Sequence, residues 1–159
     1  MRSKLLLIAI LLAVLTIGST TVGAAGPVTV TIQSSSFAIV NRLAISVPVA
    51  VVCDPLSGTP WYSNVSVTIQ QASGQGIIQA SATLNSNGGS PFLTCDGTTT
   101  NLVTVQVVPT SNDLFHGGGA IVSATASYTT CGYVFYGFCY YPFTTESGQS
   151  TLVPVNLKG

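Results

Sequence analysis

Polar and apolar residues alternate one by one along most of this chain. "VTVTIQ" sets Val28, Val30 and Ile32 on one face, and "AISVPVAVVC" does the same with Ile45, Val47, Val49, Val51 and Cys53. The pattern recurs at Val65, Val67 and Ile69; at Ile78, Ala80, Ala82 and Leu84; at Val103, Val105 and Val107; at Ala120, Val122, Ala124, Ala126 and Tyr128; and at Val153, Val155 and Leu157. The positions between are mostly Thr, Ser, Gln and Asn, so each run has one apolar face and one face suited to water. β-Branched residues dominate, and these fit a pleated strand better than a helix. Turn-forming strings separate the runs: "DPLSGTP", "ASGQG", "NSNGGSP", "CDGTTTN" and "SNDLFHGGG". The pattern predicts an all-β chain folded as a β-sandwich of about seven to eight strands, in one domain over residues 26–159.

Three stretches depart from simple alternation. Pro48 and Pro154 interrupt runs and predict edge positions or bulges, because proline has no N–H to give a ladder. "TIQSSSFAIVN" reads as a first strand that switches between sheets. At the start, "MRSKLLLIAILLAVLTIGSTTVGAAG" has Arg2 and Lys4, then an apolar core, then small residues. That is the layout of a secretory signal peptide over residues 1–25, cut after Ala24 or Ala25. Its apolar core, Leu5 to Ile17, falls short of the roughly 18–20 residues that span a bilayer. No cysteine stands near the cleavage point, which argues against a lipid anchor. The mature chain is expected to hold no stable transmembrane span and to be secreted, extracellular or at the cell surface.

Charge narrows the functional classes. Beyond residue 25 the only basic residues are Arg42 and Lys158, set against Asp54, Asp96, Asp113 and Glu146. Nucleic acid demands clustered Lys and Arg, so it is excluded as a partner. The low charge also removes one defence against self-association. The four cysteines, Cys53, Cys95, Cys131 and Cys139, all fall in the mature region. An even number in an exported chain favours disulfides, and of three possible pairings Cys53–Cys95 with Cys131–Cys139 is preferred. The spacings contain no C-x-x-C knuckle, which argues against both zinc and a redox centre.

The order of a strand ending "VVC", then "VSVTIQQ", a "CDG" turn, "VTVQVVP" and "FHGGGAIVSATASYTTC" resembles a group of small exported bacterial immunoglobulin-like domains. Phe115, Gly118 and Ala120 match that group's Phe-x-x-Gly-x-Ala lead-in to a strand, and the resemblance spans roughly residues 45–131. It implies an immunoglobulin-like sandwich and a secreted address, and it brings no active site. The segment after Cys131 is a departure from the group.

Catalytic chemistry finds no foothold. "HGGG" (His116 to Gly119) is reminiscent of an oxyanion-hole string, but no serine lies in a nucleophile-elbow context, and His116 is the only histidine. Asp54 and Asp96 each follow a cysteine of the preferred bridge and so fall near one another. Each also begins a turn, which accounts for it without an acid–base role. Calcium wants six or more oxygens, more than these acids supply. Asn64 in "NVS" matches a glycosylation acceptor and is taken as a strand residue. No catalytic residue, metal or cofactor is expected.

One segment remains. "CGYVFYGFCYYPF" holds Tyr133, Phe135, Tyr136, Phe138, Tyr140, Tyr141 and Phe143, more than half of the chain's aromatic residues. The pair Cys131–Cys139 would pin them on a constrained hairpin or loop over 131–143. Counted straight through, Tyr133 and Phe135, with Tyr141 and Phe143, have one parity and Tyr136, Phe138 and Tyr140 the other, so both faces are aromatic and a two-layer sandwich buries only one. A pinned loop loses less entropy on binding, and tyrosine offers area with few rotors and a polar tip. The expectation is a non-catalytic binding or interaction module that meets a protein or cell-envelope partner through this loop. The alternatives are carbohydrate binding by stacked rings and a structural envelope or assembly subunit.

Overall fold

The computed structural model describes residues 27–159, apart from 41–42, 75 and 110–113. The expected leader over residues 1–25, and Arg42 and Asp113, lie outside the described residues. The described residues form nine strands and no helix: β1 (Val28–Ile32), β2 (Ser36–Val40), β3 (Ala44–Cys53), β4 (Thr59–Ser73), β5 (Gly76–Asn85), β6 (Asn101–Val107), β7 (Gly118–Phe135), β8 (Phe138–Gln149) and β9 (Val153–Lys158). The alternation therefore gives the all-β class correctly and undercounts the strands. β2 and β8 are the additions. β8 is exposed or half-buried along its whole length, so it has no apolar stripe for a sequence pattern to register.

Two centres organise the sheet. β3 takes β6 along one edge, from Ile45 opposite Val107 to Val51 opposite Asn101. On its other edge lie β1, opposite residues 49–53, and the end of β2, opposite residues 44–45. β7 takes β4 along one edge, and β9 then β8 along the other. β5 adds outside β4. β2 joins the two halves: Ser36–Ala38 run parallel to β9, and Ile39 and Val40 pair antiparallel with β3. The predicted sheet-switching stretch is thus two strands, parted at Ser34, whose Oγ accepts from the Ser36 amide at 3.1 Å.

Both halves bury alternate residues in one apolar cluster. Ile45, Val47, Val49 and Val51 of β3, Val65, Val67 and Ile69 of β4, and Val122 and Ala124 of β7 are wholly buried in it. Each such Val or Ile stabilises the fold by about 1.5–3 kcal/mol over its exposed state. Leu84 departs from its run: it has the inward parity of Ile78 and Ala80, yet it is exposed, because β5 runs on past the core. Pro48 is not on an outer strand, since it lies in central β3. It does sit in the gap where β1 has ended and β2 has not begun, and its carbonyl accepts from Gln33 N at 3.0 Å. No ladder partner is lost there.

Both preferred disulfides form, Cys53–Cys95 and Cys131–Cys139, as suits an oxidising, extracellular-type environment. Cys95 lies in a loop and not on a strand, so the first bridge ties the lead-in of β6 to the end of β3. Asn101 sets that loop. Its amide nitrogen donates to Val51 O at 3.1 Å and Thr94 O at 2.9 Å, and its oxygen accepts from Thr94 N at 2.7 Å. Asp96 closes the turn before Gly97, which has φ +81. Its carboxylate accepts from the hydroxyls and amides of both Thr98 and Thr99. These bonds, led by the Thr99 hydroxyl and amide, hold the Asp96 carboxyl well below the usual carboxylate range.

Two outcomes test this loop. Asn101→Ala removes several bonds at once and should destabilise the protein by about 2 kcal/mol in equilibrium denaturation, since the carbonyls it leaves lose their donor. A lowered folded-state pKa contributes stability that is complete above the unfolded value, about 4, and is lost as the pH falls through the folded value. Denaturation midpoints measured from neutral pH down to about pH 2 should therefore decline in the wild type, and decline less in Asp96→Asn.

Candidate functional site

β7 changes character at Cys131. From Ala120 to Tyr128 its alternate side chains are core, and Thr130 and Cys131 are still buried. Burial also pushes the Tyr128 phenol up. β4 begins at Thr59, opposite Cys131, so residues beyond that point have lost their neighbour on that side. From Tyr133 to Tyr140 the chain pairs only with itself: Tyr133 with Tyr140, Val134 with Cys139, Phe135 with Phe138. The result is a two-stranded ribbon that overhangs the sheet.

Three local features shape it. The register shifts between Cys131 and Tyr133, where Gly132 meets Pro142. A Cβ on Gly132 would lie 2.5 Å from Pro142 Cδ, so the close approach excludes any side chain there. The turn is two residues, Tyr136 and Gly137, with φ +47 and +75. Paired positive φ values match the twist of the flanking strands, which is why such turns close tight hairpins. The Cys131–Cys139 bond then ties the base of the ribbon to its returning strand. An isolated two-stranded ribbon is marginal in water, so the staple supplies constraint that packing does not.

All seven predicted aromatic residues are exposed, from 42% at Phe143 to 85% at Tyr136. The register corrects their expected split between faces. Tyr133 opposite Tyr140, and Phe135 opposite Phe138, put those four rings on one face, because directly paired residues share a side. Parity counted straight through a two-residue turn inverts everything beyond it. Tyr133 and Phe135 have centroids 6.2 Å apart and planes 16° apart. Tyr140 is tilted 48° to Tyr133, and Phe135 meets Tyr136 edge to face at 4.4 Å. Tyr141 and Phe143 form a second edge-to-face pair at 4.7 Å. Residues 131–145 carry no charge; the ribbon offers ring faces, ring edges and four phenol hydroxyls.

The other candidate residues stay apart from it. His116 is exposed, and its backbone is held by buried Gln71, which donates to His116 O at 2.7 Å and accepts from His116 N at 3.1 Å. The "HGGG" string is therefore the lead-in to β7. Asp54 Oδ1 lies against Gly97, beside the first disulfide, where Gly97 N donates to Cys53 O at 2.9 Å. Among the described residues no group of three or more His, Cys, Asp or Glu is placed to hold a metal, and no helix is long and apolar enough to cross a membrane.

Two features of the structure have no counterpart in the alternation or the motifs. Trp61 lies under the "NSNGG" turn, its carbonyl accepting from Gly89 N at 2.7 Å. The sole tryptophan beside a Gly-Gly turn was the available signal. A shallow apolar groove of about 390 Å³ crosses β4, β5 and β7, lined by Gln70, Ala72, Ile77, Gly119, Ala120 and Ile121. Its residues lie on three separate strands, so no sequence window contains it. No family model matches this chain, and no curated protein or solved structure matches it either.

Proposed function

We propose that this chain is an exported immunoglobulin-like β-sandwich that works without catalysis, as a secreted or cell-surface module binding a protein or cell-envelope partner through the aromatic hairpin 131–143. The sandwich reading rests on two halves of a sheet, linked through β2, whose alternate faces share one apolar cluster. Export rests on the leader-like residues 1–25 together with the two disulfides. The observation that carries the binding function is that seven rings stay in water on a covalently stapled ribbon. Large apolar patches exposed on a soluble surface mark interaction sites, and aromatic anchors dominate interface energetics.

Carbohydrate binding has one specific observation in its favour, the near-parallel pair Tyr133 and Phe135. A sugar chain needs that plane continued, and the neighbouring rings turn away by 48° and 76°. Knuckled rings of this kind fit the pockets of a protein surface better than the flat face of a polysaccharide.

Two measurements test the proposal. Surface material retained by the wild-type protein should be lost by Tyr136→Ala/Phe138→Ala, since truncating a central aromatic anchor costs about 2 kcal/mol or more, roughly thirtyfold in affinity. Equal recovery by both proteins would overturn the assignment, and retention on oligosaccharides in place of protein would move it to the sugar class. Cys131→Ser/Cys139→Ser should leave hydrogen exchange in β3 and β4 unchanged, speed exchange at residues 133–140, and weaken binding about tenfold by adding an ordering cost.

A further inference from the structure

We propose that two copies of this chain join edge to edge through β5, antiparallel and centred on Ser81, so that the sheet continues from one copy into the next. β5 pairs with β4 without a bulge from Asn85 to Gly76, and among the described residues its other edge carries no strand. A free edge presents unpaired N–H and C=O groups to any strand that approaches, and proteins commonly blunt it with charge, proline, bulges or brevity. The other outer strands of this fold are blunted. β1 has five residues, and Gly148 of β8 presses so closely on the Val28 backbone that no Cβ would fit. β6 has seven and runs soon into Pro109. β8 carries Pro142, Glu146 and the register shift opposite Gly132. β5 has ten residues, "GIIQASATLN", with no proline and no charge, and β4 beside it has no charge either. Nothing on this edge repels an identical one.

The side chains favour a second copy over an arbitrary strand. With Ser81 on the two-fold axis, Gln79 meets Thr83 and Ile77 meets Asn85 on the outer face. On the inner face Ala80 meets Ala82 and Ile78 meets Leu84. Leu84 points inward yet is 43% exposed, and Ala82 beside it is only half-buried. In that register the partner's strand lies alongside Leu84 at Ile78, whose own side chain is buried in its core, so the joint covers Leu84. Centring on Ala80 instead would set Leu84 against Gly76, which has no side chain to offer. Directly opposed apolar pairs stabilise a ladder, so the Ser81 register is the better one.

Light scattering of the purified, oxidised protein over a wide concentration range should give a monomer–dimer equilibrium. Gln79→Lys/Ser81→Lys changes only outward-facing residues. It should raise the dimer dissociation constant at least about tenfold, because like charges face each other across the joint, and leave Tm unchanged at concentrations where both proteins are monomeric. Hydrogen exchange of the unmodified protein should show β5 amides gaining protection as concentration rises. A wild type that stays monomeric throughout, a dimer that survives both lysines, or one abolished by Tyr136→Ala/Phe138→Ala with the lysine variant still dimeric would each overturn the proposal.

Discussion

The fold depends on one constraint: alternate side chains along β3 and along the middle of β4 and β7 must be apolar and must reach the same interior. Charged residues make up only 5% of the chain, so ion pairs contribute little to its cohesion. Val47, Val49, Val65, Val67 and Val122 are wholly buried, and the strands that carry them belong to different halves of the sheet. A one-residue slip in register would turn a whole row outward, so the alternation fixes register as well as stability. β2 makes the shared interior possible, since it leaves β9 after Ala38 and takes up β3 at Ile39 within one strand.

The same constraint explains why β7 has two characters. Its first part is held by the core and by β4 and β9. Past Cys131 the apolar stripe has nothing to bury against, yet the residues there are aromatic. The order of that segment comes from other sources: the tight turn at Tyr136-Gly137, the Gly132–Pro142 contact and the Cys131–Cys139 bond. A ribbon fixed in this way loses little entropy when something covers it, so the apolar area left in water remains available to a partner.

What was legible in the sequence follows from the same physics. Runs such as Val28-Val30-Ile32 and Val103-Val105-Val107 are buried where the alternation puts them, because a half-buried strand writes its environment into every second residue. Leu84 obeys the pattern and is exposed, since parity sets direction but not the reach of the core. β8 was hidden because an exposed strand imposes no alternation. The aromatic faces were misassigned for a geometric reason, as a two-residue turn restarts the parity count. Asp96 was recognised as beginning a turn, but its grip on Thr98 and Thr99 depends on loop geometry that spacing alone does not encode.

Low charge ties the candidate site to the rest of the molecule. A highly charged surface would keep copies apart and steer partners from a distance. This surface does neither, so any contact it makes must draw on short-range complementarity, for which it offers rings at the hairpin and unpaired backbone groups along a strand edge. The two features are protected differently. The hairpin's outer strand β8 carries Pro142, Glu146 and the shifted register opposite Gly132, which leaves the rings free while discouraging strand addition. β5 has no such device, and its backbone is what it offers. An aromatic surface spared from strand pairing and a strand edge spared from charge thus lie on two separate parts of the sheet, and the binding and the pairing proposed for this chain draw on different interactions.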